Sequence, residues 1–353
     1  MSEVLTRLRR VTSGQQAVPT HVQDLLGPFL ERQEVLENRR VSGVPDRMHC
    51  GLDDLDEDTG GLRAGDVVVL AARPAMGCTT LALQIAAYAS LNQPRPVLFR
   101  SHREPPDELV LRAVAAQGPV DVRRLRRGGL DEQGWDVFAR TLGRLSSAPL
   151  WFDSGSTPAD AALAVVDPPH LPLTESAAQR RAPLLVVDAA PEMREPSETP
   201  AGAELLRSLA ALAIERELIV LVTVGLPLPA HPDGPEPGLA DLATFPTAER
   251  VAAHVLTLQR PDAYAVGHRL HPRAGEADLH LVKNARGITG TTRLAYLGWQ
   301  CRFVSWPSGS EDSTGRTACT SDVVAPLEAA LDRLGCSRAE DPIVHGTPRS
   351  ADH

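Results

Sequence analysis

The residues Ala72-Arg73-Pro74-Ala75-Met76-Gly77-Cys78-Thr79-Thr80 follow the apolar run Val67–Ala71 and precede a stretch, Leu81–Leu91, with helical spacing. A strand, a loop of small residues and a helix in that order can cradle a phosphate. Successive loop N–H groups and the helix N-terminus converge on one anion. Such a loop needs a lysine after its last glycine to neutralise the outer phosphates, and a hydroxyl next to it for Mg²⁺. Here the lysine position is Cys78 and the hydroxyl is Thr79. Gly77-Cys78-Thr79 taken alone also fits an ordinary strand-to-helix turn, so the surroundings have to decide.

Those surroundings alternate. Val97–Phe99, Leu150–Asp153, Leu184–Asp188, Leu218–Val224, Val255–Leu258, Leu279–Lys283 and Thr292–Leu297 read as strands. Between them Leu109–Gln117, Trp135–Leu145 and Glu204–Arg216 read as helices. Continuous apolar strands separated by helices predict a parallel α/β sheet covered on both faces. Ala189–Ala203 and Leu226–Gly238, rich in Pro, Gly and Ser, read as loops. Ahead of the sheet, Val22–Arg40 places Leu25, Leu26, Phe29, Leu30, Val35 and Leu36 near helical spacing. This amphipathic helix must bury its stripe on its own domain or on a neighbour. Residues 1–19 and 308–353 read as disordered, apart from a short helix near 322–334.

Composition sets limits. The 353 residues carry a net charge of −9, so bulk charge does not draw the chain to polyanions and nucleic-acid contact needs a local basic patch. Arg123-Arg124-Leu125-Arg126-Arg127 is the best such patch, or else a solvated helix end. Lys283 is the single lysine, as GC-rich bacterial codon usage favours. Five scattered cysteines without a CxxC pair fit reduced thiols. The lack of a long apolar run predicts a cytoplasmic protein outside the membrane. His102, His254, His268, His271 and His280 have no metal-ligand spacing, and no structural metal is expected.

Four stretches carry a family resemblance. Gly51–Asp66 and Ala71–Gly77 resemble the start and the phosphate loop of the motor domain of DnaB-type replicative helicases. Leu184–Asp188 resembles its Walker B strand, and Lys283-Asn284-Ala285-Arg286-Gly287-Ile288-Thr289-Gly290-Thr291-Thr292-Arg293-Leu294 the motif that ends it. The resemblance covers roughly residues 20–306. It implies a RecA-like P-loop NTPase fold with a mostly parallel central sheet over 45–307. It also implies that 20–41 is the linker helix, which in that family docks on the next subunit of a hexameric ring. The family's N-terminal primase-binding domain has no counterpart.

Carried over residue by residue, the resemblance makes Arg73 to Thr80, Asp188, Lys283 and Arg286 nucleotide-binding positions, with Thr79 and Asp188 the Mg²⁺ ligands and Lys283 the family's trans-acting lysine. Four catalytic positions depart from the family. The P-loop lysine is Cys78, the water-activating Glu is Arg103, the phosphate-sensing Gln is Gly225 and the arginine finger is Ala285. Glu104 and Arg286 stand next to two of these gaps, and Arg73 or Arg103 could return a charge to the loop. Phosphoryl transfer depends on positioning and charge neutralisation, and a finger alone is worth ~10³–10⁵ in rate. The resemblance therefore implies weak Mg-ATP binding with little or no hydrolysis. Cys78 also reads as a redox-sensitive thiol, because a helix N-terminus lowers a thiol pKa, or as drift from lysine. The stretch Gly225 to Thr247, where the family meets DNA, has no Lys or Arg but holds Asp233, Glu236 and Asp241. DNA binding is therefore doubtful. Three functions stay open: a degenerate ring subunit, regulator or scaffold that self-associates or joins a true replicative helicase; an active helicase with displaced catalytic residues; and a nucleotide-sensing module.

Overall fold

Val, Leu, Ile and Ala dominate the strands β1 (Val67–Ala72), β2 (Val97–Ser101), β4 (Leu184–Asp188) and β5 (Ile219–Gly225), and nearly every residue in them is buried. Such strands need cover on both faces. In the computed structural model, which describes residues 21–41, 47–154, 181–190, 198–228, 237–264 and 271–306, they have it. Val68 and Leu70 of β1 pack with helices α2 (Asp53–Thr59) and α3 (Cys78–Asn92) on one face. Val67, Val69 and Ala71 pack on the other with α7 (Pro200–Glu215) and α8 (Pro246–Val251). The period-two alternation of β1 thus splits one apolar run between two cores.

The remaining elements are α1 (Val22–Val41), α4 (Pro106–Gln117), α5 (Val122–Arg127), α6 (Glu132–Ser146), β3 (Leu150–Asp153), β6 (His254–Gln259), β7 (Glu276–Asn284), β8 (Gly290–Leu297) and β9 (Arg302–Ser305). The nine strands form one sheet in the order β3-β2-β4-β5-β1-β6-β7-β8-β9. From β3 to β6 all pairs are parallel, while β6-β7, β7-β8 and β8-β9 are antiparallel. This mostly parallel RecA-like sheet is the fold the sequence suggests.

Two expectations need correction. The last strands form an antiparallel meander; the links from β7 to β8 and from β8 to β9 are too short to carry a crossover helix. Helix α7 begins at Pro200, inside the stretch read as loop. Thr199 caps it by accepting from Gly202 N at 3.0 Å, and Pro200 costs nothing in the first turn. A 3₁₀ turn at Leu239–Thr244 and α8 follow the loop after β5, burying Leu242, Phe245 and Ala248. The expectations for 1–19 and 308–353 fall outside the described residues, as do Asp233, Glu236 and His268.

On α1, Leu25, Leu26, Phe29 and Leu30 are each at least half exposed, so this part of the stripe is not buried among the described residues. Among the described residues no helix is long and apolar enough to cross a membrane.

Candidate nucleotide-binding site

The strand order brings the site together. β4 lies between β2 and β5, and β1 lies beside β5. Their C-terminal ends therefore place Ser101, Asp188, Thr223 and the loop after Ala72 along one edge. Asp188 accepts from three hydroxyls: Ser101 Oγ at 3.0 Å, Thr223 Oγ1 at 3.0 Å, and Thr79 Oγ1, which lies 3.0 Å from both carboxylate oxygens. Burial pushes the Asp188 carboxyl up, and the hydroxyls of Ser101, Thr223 and Thr79, with the Arg103 charge, recover only part of that rise. A buried carboxylate left above its ordinary range is one that a cation would stabilise.

The loop is a tight cradle. Gly77 has φ 97°, and a Cβ there would lie 2.9 Å from Phe303 Cζ. Only glycine satisfies both conditions. Gln84 holds Phe303 in place, donating to its carbonyl and accepting from its N–H, each at 2.8 Å. Cys78 opens α3, but its thiol turns inward and donates to the Leu70 carbonyl at 3.3 Å. Burial raises its pKa well above the ordinary thiol value, and the Asp188 charge adds to the rise. Both effects run against the redox-thiol reading of Cys78 and leave its other reading, drift from lysine.

The cations near the loop are engaged elsewhere. Arg73 is buried, with Nη2 3.9 Å from Asp241 Oδ1. Arg103 is 63% exposed, and its Nε lies 3.5 Å from Glu104 Oε1. It is chiefly a solvated side chain, although its charge reaches Asp188. Glu104 is also held by Arg112 Nη2 at 3.2 Å. Gly225 ends β5, paired with Ala72.

Lys283, Ala285 and Arg286 do not join this group. The Lys283 ammonium donates to the Glu249 carbonyl and, at 2.8 Å, to the Ala252 carbonyl, capping the end of α8. Ala285 N donates to the Ala253 carbonyl at 2.9 Å. Arg286 forms a two-pronged pair with Asp66, just before β1. These residues lie at the N-terminal end of β1 and the phosphate loop at its C-terminal end, about 20 Å apart for a six-residue strand. Within this chain Lys283 and Arg286 cannot bind the same nucleotide as Thr79. The resemblance has Lys283 acting in trans, on a neighbouring subunit's nucleotide, and a place at the opposite end of β1 from the phosphate loop agrees with a role outside this chain's own site.

Residues 47–305 match the family model for the DnaB-like helicase C-terminal domain. The chain belongs to that family. The replicative DNA helicase DnaB of Leifsonia xyli subsp. xyli is 32% identical over 280 residues, covering 74% of this chain and 56% of that protein. DnaB of Pasteurella multocida is 30% identical over 311 residues, covering 84% of this chain and 62% of that protein. The chain thus spans about three-fifths of the length of these relatives. Among solved structures, one described as an ATPase domain superposes with a TM-score of 0.65 at 18% identity, covering 82% of this chain and all of that one. A DnaB-like replicative helicase described with its interactions with primase gives 0.63 at 18%, covering 86% and 71%. At that identity the two superpositions speak for the fold alone.

The donor set of this DnaB-like domain fits Mg²⁺-nucleotide in one respect and not in another. Thr79 Oγ1, in the first turn of α3, and the Asp188 carboxylate, at the end of β4, are hard oxygens of the kind Mg²⁺ takes beside phosphate oxygens and water. When bound, the ion would neutralise phosphate charge. The loop lysine has no replacement in position, since Cys78 offers only a partly buried, inward-turned thiol. Among the described residues no cluster of three His, Cys, Asp or Glu could hold a metal unaided. Sequence reading missed Thr223 and passed over Ser101 as a ligand partner. Both are hydroxyl residues near the C-terminal ends of strands flanking β4, a signal usable once strand order is known.

The basic cluster on α5 is largely consumed within the chain. Arg123 pairs with Asp121 at 2.8 Å, Arg124 with Asp131 at 3.7 Å, and Arg126 with Glu108.

Proposed function

We propose that this DnaB-like domain, spanning 45–307 with a linker helix at 20–41, is catalytically degenerate. In this reading it keeps a phosphate cradle that binds Mg-ATP weakly, hydrolyses it little or not at all, and acts through assembly. The observation that carries the reading is the inward-turned Cys78 thiol, bonded to Leu70 O at the position where a cation should face the phosphates.

The engagement of each displaced substitute supports it. For Glu104 to act as the base, it would have to leave Arg112 and Arg103. Arg286 would have to abandon buried Asp66 to serve as a finger. Arg73 points to Asp241. The exposed Leu25, Leu26, Phe29 and Leu30 face of α1 favours association, either with further copies in a ring or with a true replicative helicase. The paired arginines of α5 and the lack of Lys and Arg from Gly225 to Thr247 argue against tight DNA binding.

The competing reading, an active replicative helicase with displaced residues, is favoured by the 32% identity to a replicative DnaB. Turnover separates the two. Purified chain supplied with Mg-ATP and single-stranded DNA is expected to release no phosphate above background. Release at a rate that could drive a ring motor, abolished by Asp188→Asn, would overturn the degenerate reading. A fluorescent ATP analogue is expected to give saturable binding only towards millimolar concentration.

A further inference from the structure

Tyr264 lies in the turn that follows β6, and its hydroxyl donates to the Pro74 carbonyl at 2.6 Å. That carbonyl belongs to the central peptide of a four-residue turn, Arg73 to Met76, closed by Met76 N on Arg73 O at 3.4 Å. Pro74 occupies the second position of the turn, and Ala75 the third, with φ 63°. A negative φ at the proline followed by a positive φ makes this a type II turn, whose third position suits glycine. Alanine there is strained, because its Cβ crowds the next carbonyl. The type I alternative keeps the same ends and the same proline but gives Ala75 a φ near about −90°. The two differ by a half-rotation of the Pro74–Ala75 peptide. In a trans peptide the N–H points opposite to the C=O. Whatever holds the Pro74 carbonyl therefore also aims the Ala75 N–H.

We propose that Tyr264 is a positioning residue that selects the turn type of the phosphate loop and so presents the Ala75 N–H to an anion. The same segment braces the loop a second time, since Arg260 N donates to Met76 Sδ at 3.2 Å. At the far end of the loop Gly77 is wedged against Phe303, so the central peptide is the one part free to rotate. The proposal rests on the weak phosphate binding put forward above, and its test is built to fail separately.

Tyr264→Phe removes the hydroxyl and keeps the ring. Without the hydrogen bond, an alanine favours the flipped turn by roughly 5- to 30-fold. The affinity of the Mg-ATP analogue, and of inorganic tripolyphosphate, is expected to fall by about that factor. Adding Ala75→Gly to Tyr264→Phe is expected to restore most of it, because glycine takes a positive φ without strain. The backbone carbon shifts of Ala75 in the ligand-free protein, which report the sign of φ, are expected to change in Tyr264→Phe. If the unaltered chain binds no phosphate, the nucleotide reading fails while the Ala75 shifts still decide whether Tyr264 sets the turn. Unchanged shifts and affinity in Tyr264→Phe would overturn the proposal. So would a turn that flips without loss of binding, or a loss that Ala75→Gly does not repair.

Discussion

Cys78→Lys is expected to tighten Mg-ATP binding about ten- to a hundredfold, which is what one or two charge-assisted hydrogen bonds of ~1.5–3 kcal/mol contribute. A lysine cannot follow the thiol inward. Leu70 sits in the apolar core, so an ammonium at its carbonyl would be stranded away from water and counter-charge. Its stem must instead run along the loop towards the anion seat, beside Thr79. Isothermal titration with a non-hydrolysable ATP analogue measures the gain. Hydrolysis is expected to stay at background in the variant. Arg103 stands where water needs a base, and Gly225 offers no side chain to sense the phosphate. Catalytic parts act as a unit, so one repaired member recovers little rate. Affinity unchanged by the lysine would mean that the loop no longer presents its amides to an anion. Hydrolysis restored by the lysine alone would mean that the remaining gaps are filled by neighbours.

Arg286→Ala is expected to destabilise the fold by about 3 kcal/mol, the lower end of the range for breaking a buried pair, because the guanidinium is partly open to solvent. Asp66 is 1% exposed. Its carboxylate accepts from Arg286 Nη1 at 2.8 Å and from Arg63 N at 2.8 Å, with the His254 ring 3.7 Å away. Burial pushes its pKa up, but the His254 and Arg286 side chains and the Arg63 N–H outweigh that and bring it down to about 2 from 3.8. A folded-state pKa below the unfolded one stabilises the fold fully above pH 3.8, and that stabilisation is lost as the pH falls from 3.8 towards 2. Urea denaturation at pH 7 is expected to show the full deficit of the variant, and the gap to the unaltered chain is expected to narrow below about pH 4. The variant's own Mg-ATP binding should not change, since Asp66 and the phosphate loop sit at opposite ends of β1. A variant as stable as the parent, but with ATP turnover lost in an assembled form, would instead make Arg286 a finger acting on a neighbouring subunit.

Most of the fold is legible in the residues alone. Val67–Ala72, Leu150–Asp153 and Leu184–Asp188 are apolar runs of strand length bounded by turn residues, and their ends agree with the sequence reading to within a residue. Strands buried on both faces leave little freedom of interpretation. The start of α7 is misread because Pro, Ser and Thr signal a loop and a helix cap alike, and only the chain's path shows which. The meander after β6 is not read from the sequence because the link over residues 260–275 is long enough for either pairing direction, and only the chain's path decides between them.

Local chemistry decided the part of the site that the sequence could reveal. A strand-loop-helix with Gly77 and Thr79, and a buried strand ending in Asp188, specify a phosphate cradle with a cation ligand pair, and the missing lysine is visible as Cys78. Which way each side chain is committed is a tertiary matter. Ser101 and Thr223 meet Asp188 because β4 inserts between β2 and β5. Lys283 and Arg286 are spent on Ala252 and Asp66 because β7 runs back to the opposite edge. Tyr264 reaches Pro74 across 190 residues of sequence. A linear chain states which groups exist; hydrogen bonds are short and directional, so only packing determines which of them meet.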